Sequence, residues 1–312
     1  MKKANISKNG RNTSRQAGKI AFRILDICAI ALLVICLSYL VRGIVAHQQN
    51  DHLTDELREM HEESGSAYVK NAFSSLLRNV AYAEESTASN LENAEQYPVV
   101  EDIVIQDKYR NLYERNNDLV GWIHMNESID YPIVWLDDDN DFYMDHDYDR
   151  KYSEAGWIFL DKRNGDLMND DQLLIYGHNM RSGAMFGDLD LYRKAEYLQK
   201  NPIINLESIF ETEARKYVII SLYDASMNKD HESYIKITKF NFETKEEKQS
   251  YIDEVCSRSI FKTPCSANSD DQLVTLVTCS YSQPNGRFLV VARELRDDET
   301  VEQITEMYLR TK

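Results

Sequence analysis

The chain has 312 residues and a mass of 36.3 kDa, with 43% hydrophobic and 28% charged residues. That is enough to bury one large core or two ordinary ones, which excludes a wholly disordered chain and a small disulfide-stapled fold. Eleven Gly and five Pro exclude collagen-like and proline-rich architectures, and a net charge of −16 argues against a protein that grips the nucleic-acid backbone.

The charge is unevenly spread. Residues 1–46 carry eight Lys/Arg against Asp26 alone, so the remainder is strongly acidic. From Ile27 to Val41 nothing is more polar than Ser38 and Tyr39, and extended to Val45 the run reaches ~28 Å as a helix, close to a hydrocarbon core. Seven of the basic residues precede it. The positive-inside rule therefore predicts a cytoplasmic tail over 1–23, a signal-anchor helix over 24–46 and everything beyond outside the cell, a single-pass plasma-membrane topology. A cleaved signal peptide is the competing reading, with only a poor small-x-small site at Ile44-Val45-Ala46.

Residues 47–101 read as a stalk. Leu53, Leu57 and Met60, then Phe73, Leu76, Leu77 and Val80, have helical spacing, and Glu84–Glu95 reads as a flexible tether. A coiled coil is disfavoured by the break at Ser64-Gly65-Ser66.

A folded domain is predicted over 102–296, opening with a helix through Tyr109, Leu112 and Tyr113. Strands are expected at 120–125, 129–135, 156–160, 172–176, 216–223, 234–240, 272–279 and 287–294, helices at Leu189–Lys200 and Lys245–Ser259, and a last helix within 297–312, at Glu299–Arg310. Eight short strands, many with alternating apolar residues, predict a mainly β protein built as a closed or nearly closed barrel.

The chemistry concentrates at strand ends. A period of two puts Thr275, Val277 and Cys279 on one face, and Gln-Pro-Asn-Gly then turns the chain before Arg287, Leu289 and Val291. A hairpin here sets Cys279 and Arg287 opposite each other. Taken alone, such a pair reads as a buried small hydrophobe beside a surface ion pair. The Gly177-His178 step at the end of another strand changes the weighing, because Cys, His and Arg together supply nucleophile, acid/base and anion stabiliser. No Cys-x-x-Cys or clustered Cys/His spacing points to zinc, and the acidic run Asp137-Asp138-Asp139-Asp141 reads as a solvated loop rather than a calcium site. No cofactor is expected.

These residues resemble a family. TLVTC at 275–279, Arg287 eight residues later and His178 about a hundred earlier resemble the signature of sortases, the cysteine transpeptidases of Gram-positive cell surfaces. YMDHDYDRKYSEAGWIFLDKRN (143–164), YGHNMRSGAMFGDL (176–189) and the helix before the penultimate strand look like class B sortases. The resemblance implies an eight-stranded sortase barrel in which Cys279 attacks a C-terminal sorting motif of a secreted protein, His178 serves as acid and base, and Arg287 holds the oxyanion. A peptidoglycan precursor amine would then resolve the thioester. It also implies substrate contacts at Asn140, Met144, Tyr234 and Ile235. At Val277, where class B enzymes often carry Ser or Thr, no hydroxyl contact is expected. Three other readings remain open: a thiol peptidase cutting the same motif, a pilus-type polymerising sortase, and a non-catalytic surface receptor for peptides or haem.

Overall fold

In the computed structural model the described residues are 6–82, 99–100, 103–164, 170–236, 241–280, 282 and 285–311. The tether expected at Glu84–Glu95, the strand residues 237–240 and the turn residues Gln283-Pro284 lie outside them. Two compact units are present, Met1–His52 and Leu53–Lys312. Helix α1 is Ile6–Tyr82. In the first unit its apolar residues between Ile27 and Val45 are exposed, and Ile27–Gly65 is long and apolar enough to be a candidate membrane span.

The second unit is a closed barrel of eight strands: β1 (Leu119–His124), β2 (Asp130–Val134), β3 (Phe159–Leu160), β4 (Gln172–Tyr176), β5 (Ile203–Ser208), β6 (Arg215–Ser226), β7 (Leu273–Ser280) and β8 (Gly286–Glu294). Their order around the barrel is β8-β6-β5-β1-β2-β3-β4-β7, with β7 closing onto β8. All pairs are antiparallel except β2–β3 and β4–β7. Closure removes every free edge, so each strand's backbone groups are spent on neighbours.

Two strand expectations change. Ile203–Ser208 is a strand wedged between β1 and β6, which the sequence reading passed over in favour of the preceding helix. Tyr234-Ile235 belongs to no strand: β6 is already paired on both sides, and the carbonyls of Ser233 and Tyr234 accept from the Arg258 guanidinium instead. The expected helix at Leu189–Lys200 is a 3-10 segment, Gly187–Arg193, followed by α3 (Ala195–Lys200). Helix α2 (Arg110–Arg115) precedes the barrel.

The remaining helices cover the outside. α4 (Lys245–Ser257) starts on a Thr244 cap whose hydroxyl accepts from Glu247 N–H, and it buries Tyr251, Ile252 and Val255. α5 (Val301–Arg310) opens with a reciprocal Thr300–Gln303 capping box and buries Ile304 and Tyr308. Within the second unit the first part of the stalk is packed against the barrel: Leu53 and Leu57 are buried in the same core, and the His61 ring stacks on Trp122 at 4.1 Å. Glu207 accepts from Lys108 and Tyr109; burial pushes its carboxyl up, but these hydrogen bonds and the His61 ring 3.7 Å away pull it down to about 2. Leu53 and Leu57, one turn apart, thus form a docking face.

Candidate active site

Three strand ends meet at one rim. β7 and β8 pair with Arg287 opposite Cys279 and Leu289 opposite Val277, the hairpin that the period of two anticipates. β4 lies parallel to β7 with Tyr176 beside Val277, and the pairing continues one step further through Gly177 N–H to the Val277 carbonyl (3.2 Å) and the Thr278 hydroxyl to the Gly177 carbonyl (2.8 Å). His178 therefore arrives next to Cys279. Gly177 admits no side chain, since a Cβ there would stand 2.5 Å from Ile158 and 2.8 Å from Phe186.

The imidazole is held from the far side. His178 Nε2 donates to the Met144 carbonyl at 2.7 Å. A carbonyl can only accept, so Nε2 keeps its proton in both charge states and Nδ1 is left to exchange one with the thiol. The hydrogen bond between His178 and Cys279 is the main reason the Cys279 thiol lies below its ordinary range; burial opposes this, and the Arg287 charge adds to it. The same bond is the main reason His178 lies above its own range, with burial opposing and the Met144 carbonyl assisting. Both directions favour thiolate beside imidazolium. By contrast Cys256 and Cys265 are unpaired thiols that burial pushes up, which leaves them poor nucleophiles.

A cavity of about 240 Å³ opens over the rim. Cys279, His178 and Arg287 all line it, together with Asn140, Met144 and Val277. Tyr234 and Ile235 are not, and Ile235 is buried in the core. Asn140 is fixed by accepting Lys162 N–H at 2.7 Å. Below it Asp161 is fully buried and accepts from Arg163 and from the Tyr176 hydroxyl. Burial pushes that carboxyl up, but these hydrogen bonds and one from Asn140 pull it below its usual range. Tyr176 and Phe159 stack at 5.3 Å to complete the floor. A larger open groove of about 820 Å³ lies at the opposite barrel end, where Glu211 pairs with Arg215 and Glu299 with Arg293. It holds no nucleophile.

Sequence reasoning missed Tyr176, Phe159, Asp161 and Asn179 at this site. Tyr176 and Asn179 flank the Gly-His step and were within reach; Asp161 gains its place only through pairing of β3 with β4.

The sortase domain model matches residues 125–295. Sortase B of Listeria monocytogenes is 34% identical over 179 residues, 56% of this chain and 68% of the relative. Sortase B of Staphylococcus aureus is 29% identical over 196 residues, 62% and 76% of the two chains. Among solved structures, Clostridium perfringens sortase B superposes with a TM-score of 0.54 at 35% identity, covering 60% of this chain and 99% of the other. A Staphylococcus aureus sortase B–substrate complex gives 0.55 at 25% identity, covering 62% and 87%.

Proposed function

Since the chain belongs to the sortase family, in its class B branch, we propose that it is a membrane-anchored transpeptidase that cuts a C-terminal sorting motif in secreted proteins and joins them to a peptidoglycan precursor amine. The observation that carries the reading is that Cys279, His178 and Arg287, from three strand ends, line one cavity.

In this reading the Cys279 thiolate attacks the carbonyl carbon of the motif's scissile residue. Negative charge moves onto the carbonyl oxygen, where the Arg287 guanidinium donates to it; a preorganised donor of this kind is worth roughly 10²–10³ in rate. The tetrahedral centre collapses as the C–N bond breaks, and the imidazolium gives its Nδ1 proton to the departing amine. A thioester remains. The incoming amine passes a proton back to Nδ1 as its nitrogen bonds to the acyl carbon, and the thiolate leaves. Val277, Met144 and Asn140 would contact the motif from the cavity lining, and Tyr234 and Ile235 carry no such role here.

Anchoring through α1 with the basic tail inside is supported by the apolar run and the seven preceding cations. The test uses the full chain in detergent with a sorting-motif peptide, with and without an amine acceptor. Ligated product that disappears in Cys279→Ala is expected; cleavage without ligation at any amine concentration would make the protein a peptidase.

A further inference from the structure

Asn179 follows His178 directly, and its side-chain Nδ2 carries two hydrogens. One goes to the main-chain carbonyl of Cys279 at 2.9 Å, the other to Asp190 Oδ2 at 3.1 Å. Asp190 sits on the 3-10 segment Gly187–Arg193, and its Oδ1 accepts from Arg193 Nε at 3.0 Å. The Arg193 guanidinium then forks onto Asp224 of β6 at 2.6 and 2.8 Å while lying 4.0 Å over the Phe288 ring. Asp224 in turn accepts from the hydroxyl of Ser280, the residue after the nucleophile, at 2.6 Å. The hydrogen bonds close a ring around the peptide unit that carries Cys279.

None of Asn179, Asp190, Arg193 and Asp224 lines the substrate cavity. We infer that Asn179 is a positioning residue: its carboxamide binds the end of β7 to the loop bearing His178, so that thiol and imidazole keep one spacing through both half-reactions. The loop has its own closure, with Phe186 N–H on the His178 carbonyl (2.9 Å) and Gly183 N–H on the Met180 carbonyl (3.0 Å). Losing the Asn179 side chain therefore leaves the loop folded and its Gly177 pairing with β7 in place, but removes the tie to the Cys279 carbonyl. Losing that bond acts on rate, since a displacement of about 1 Å between reacting groups costs on the order of 10²-fold.

The inference rests on the transpeptidase reading for turnover, but thiol reactivity tests it independently. Asn179→Ala and Asn179→Asp, the latter of equal size but without donors, are compared with the wild-type full chain in detergent. Two quantities are read: kcat and KM for peptide ligation, and the rate of Cys279 alkylation by iodoacetamide against pH, followed by mass spectrometry of the Cys279 peptide. Both variants should lose about 10- to 100-fold in kcat with KM within about twofold. Their alkylation inflection should rise toward that of a free thiol, near ~8.5. Wild-type kcat, or reduced kcat with an unshifted alkylation profile, overturns the assignment. Should the wild-type chain ligate no peptide while the variants still shift the inflection, the positioning role stands and the substrate reading falls. Asn179→Asp supplies the same comparison where the alanine variant does not fold.

Discussion

Gly156 offers a direct test of how the imidazole is held. Its φ is +56°, a region costing an L-residue roughly 1–2 kcal/mol. A Cβ added there would meet the Tyr143 carbonyl oxygen at 2.6 Å and that of Met144 at 2.7 Å. The first accepts Trp157 N–H (2.9 Å); the second is the acceptor for His178 Nε2. Crowding against backbone adds about 1–3 kcal/mol, so Gly156→Ala should cost roughly 2–5 kcal/mol in all. At about 2–4 °C per kcal/mol for a domain of this size, the melting temperature should fall by roughly 4–20 °C. To reach ordinary contact the Met144 oxygen must retreat by about 0.7 Å, carrying the imidazole with it, and a shift of that order lowers rate by about 10- to 100-fold. Calorimetry gives the first quantity, and steady-state ligation well below the melting point gives the second. A variant that melts lower yet keeps wild-type kcat would refute the claim that the Met144 carbonyl sets the ring.

Further outcomes follow from the same geometry. Arg287→Lys should lose about 10²–10³ in kcat because an ammonium lacks the forked donors, yet should keep the Cys279 alkylation inflection nearer wild type than Arg287→Ala, which removes the charge that helps draw the thiol down; ligation at wild-type rate by the lysine variant would remove Arg287 from the oxyanion. The raised pKa of His178 contributes stability that is full below the free imidazole value and fades as pH rises through the folded one; the lowered pKa of Cys279 contributes stability that is full above the free thiol value and fades as pH falls through the folded one. Melting temperature against pH should accordingly lose both dependences in Cys279→Ala, and an unchanged curve would deny the pairing. Leu57→Ala, at a position with 0% exposure, should cost about 2–5 kcal/mol in denaturant unfolding of the full chain; a stalk that floats free would show no loss.

The sequence alone carried whatever depends on short-range periodicity. The β7–β8 hairpin was legible because alternation and a Pro-Asn-Gly turn set register without help from the rest of the chain, so Cys279 and Arg287 could be placed opposite each other in advance. The candidate membrane span was legible for the same reason, being a run of adjacent apolar residues. Tertiary structure decided the rest. His178 reaches Cys279 only because β4 lies parallel to β7, a pairing between segments about a hundred residues apart that no local pattern encodes. The strand at Ile203–Ser208 exists because β1 and β6 each offer it an edge, and Tyr234-Ile235 gains no ladder because no edge is left. The partners of the His178 imidazole and of the Cys279 peptide, a Met144 carbonyl and an Asn179 carboxamide, are long-range hydrogen bonds in which backbone groups take part, and a backbone carbonyl looks alike at every position of a sequence. Side-chain identity specifies the reagents; barrel closure sets the distances at which they can react.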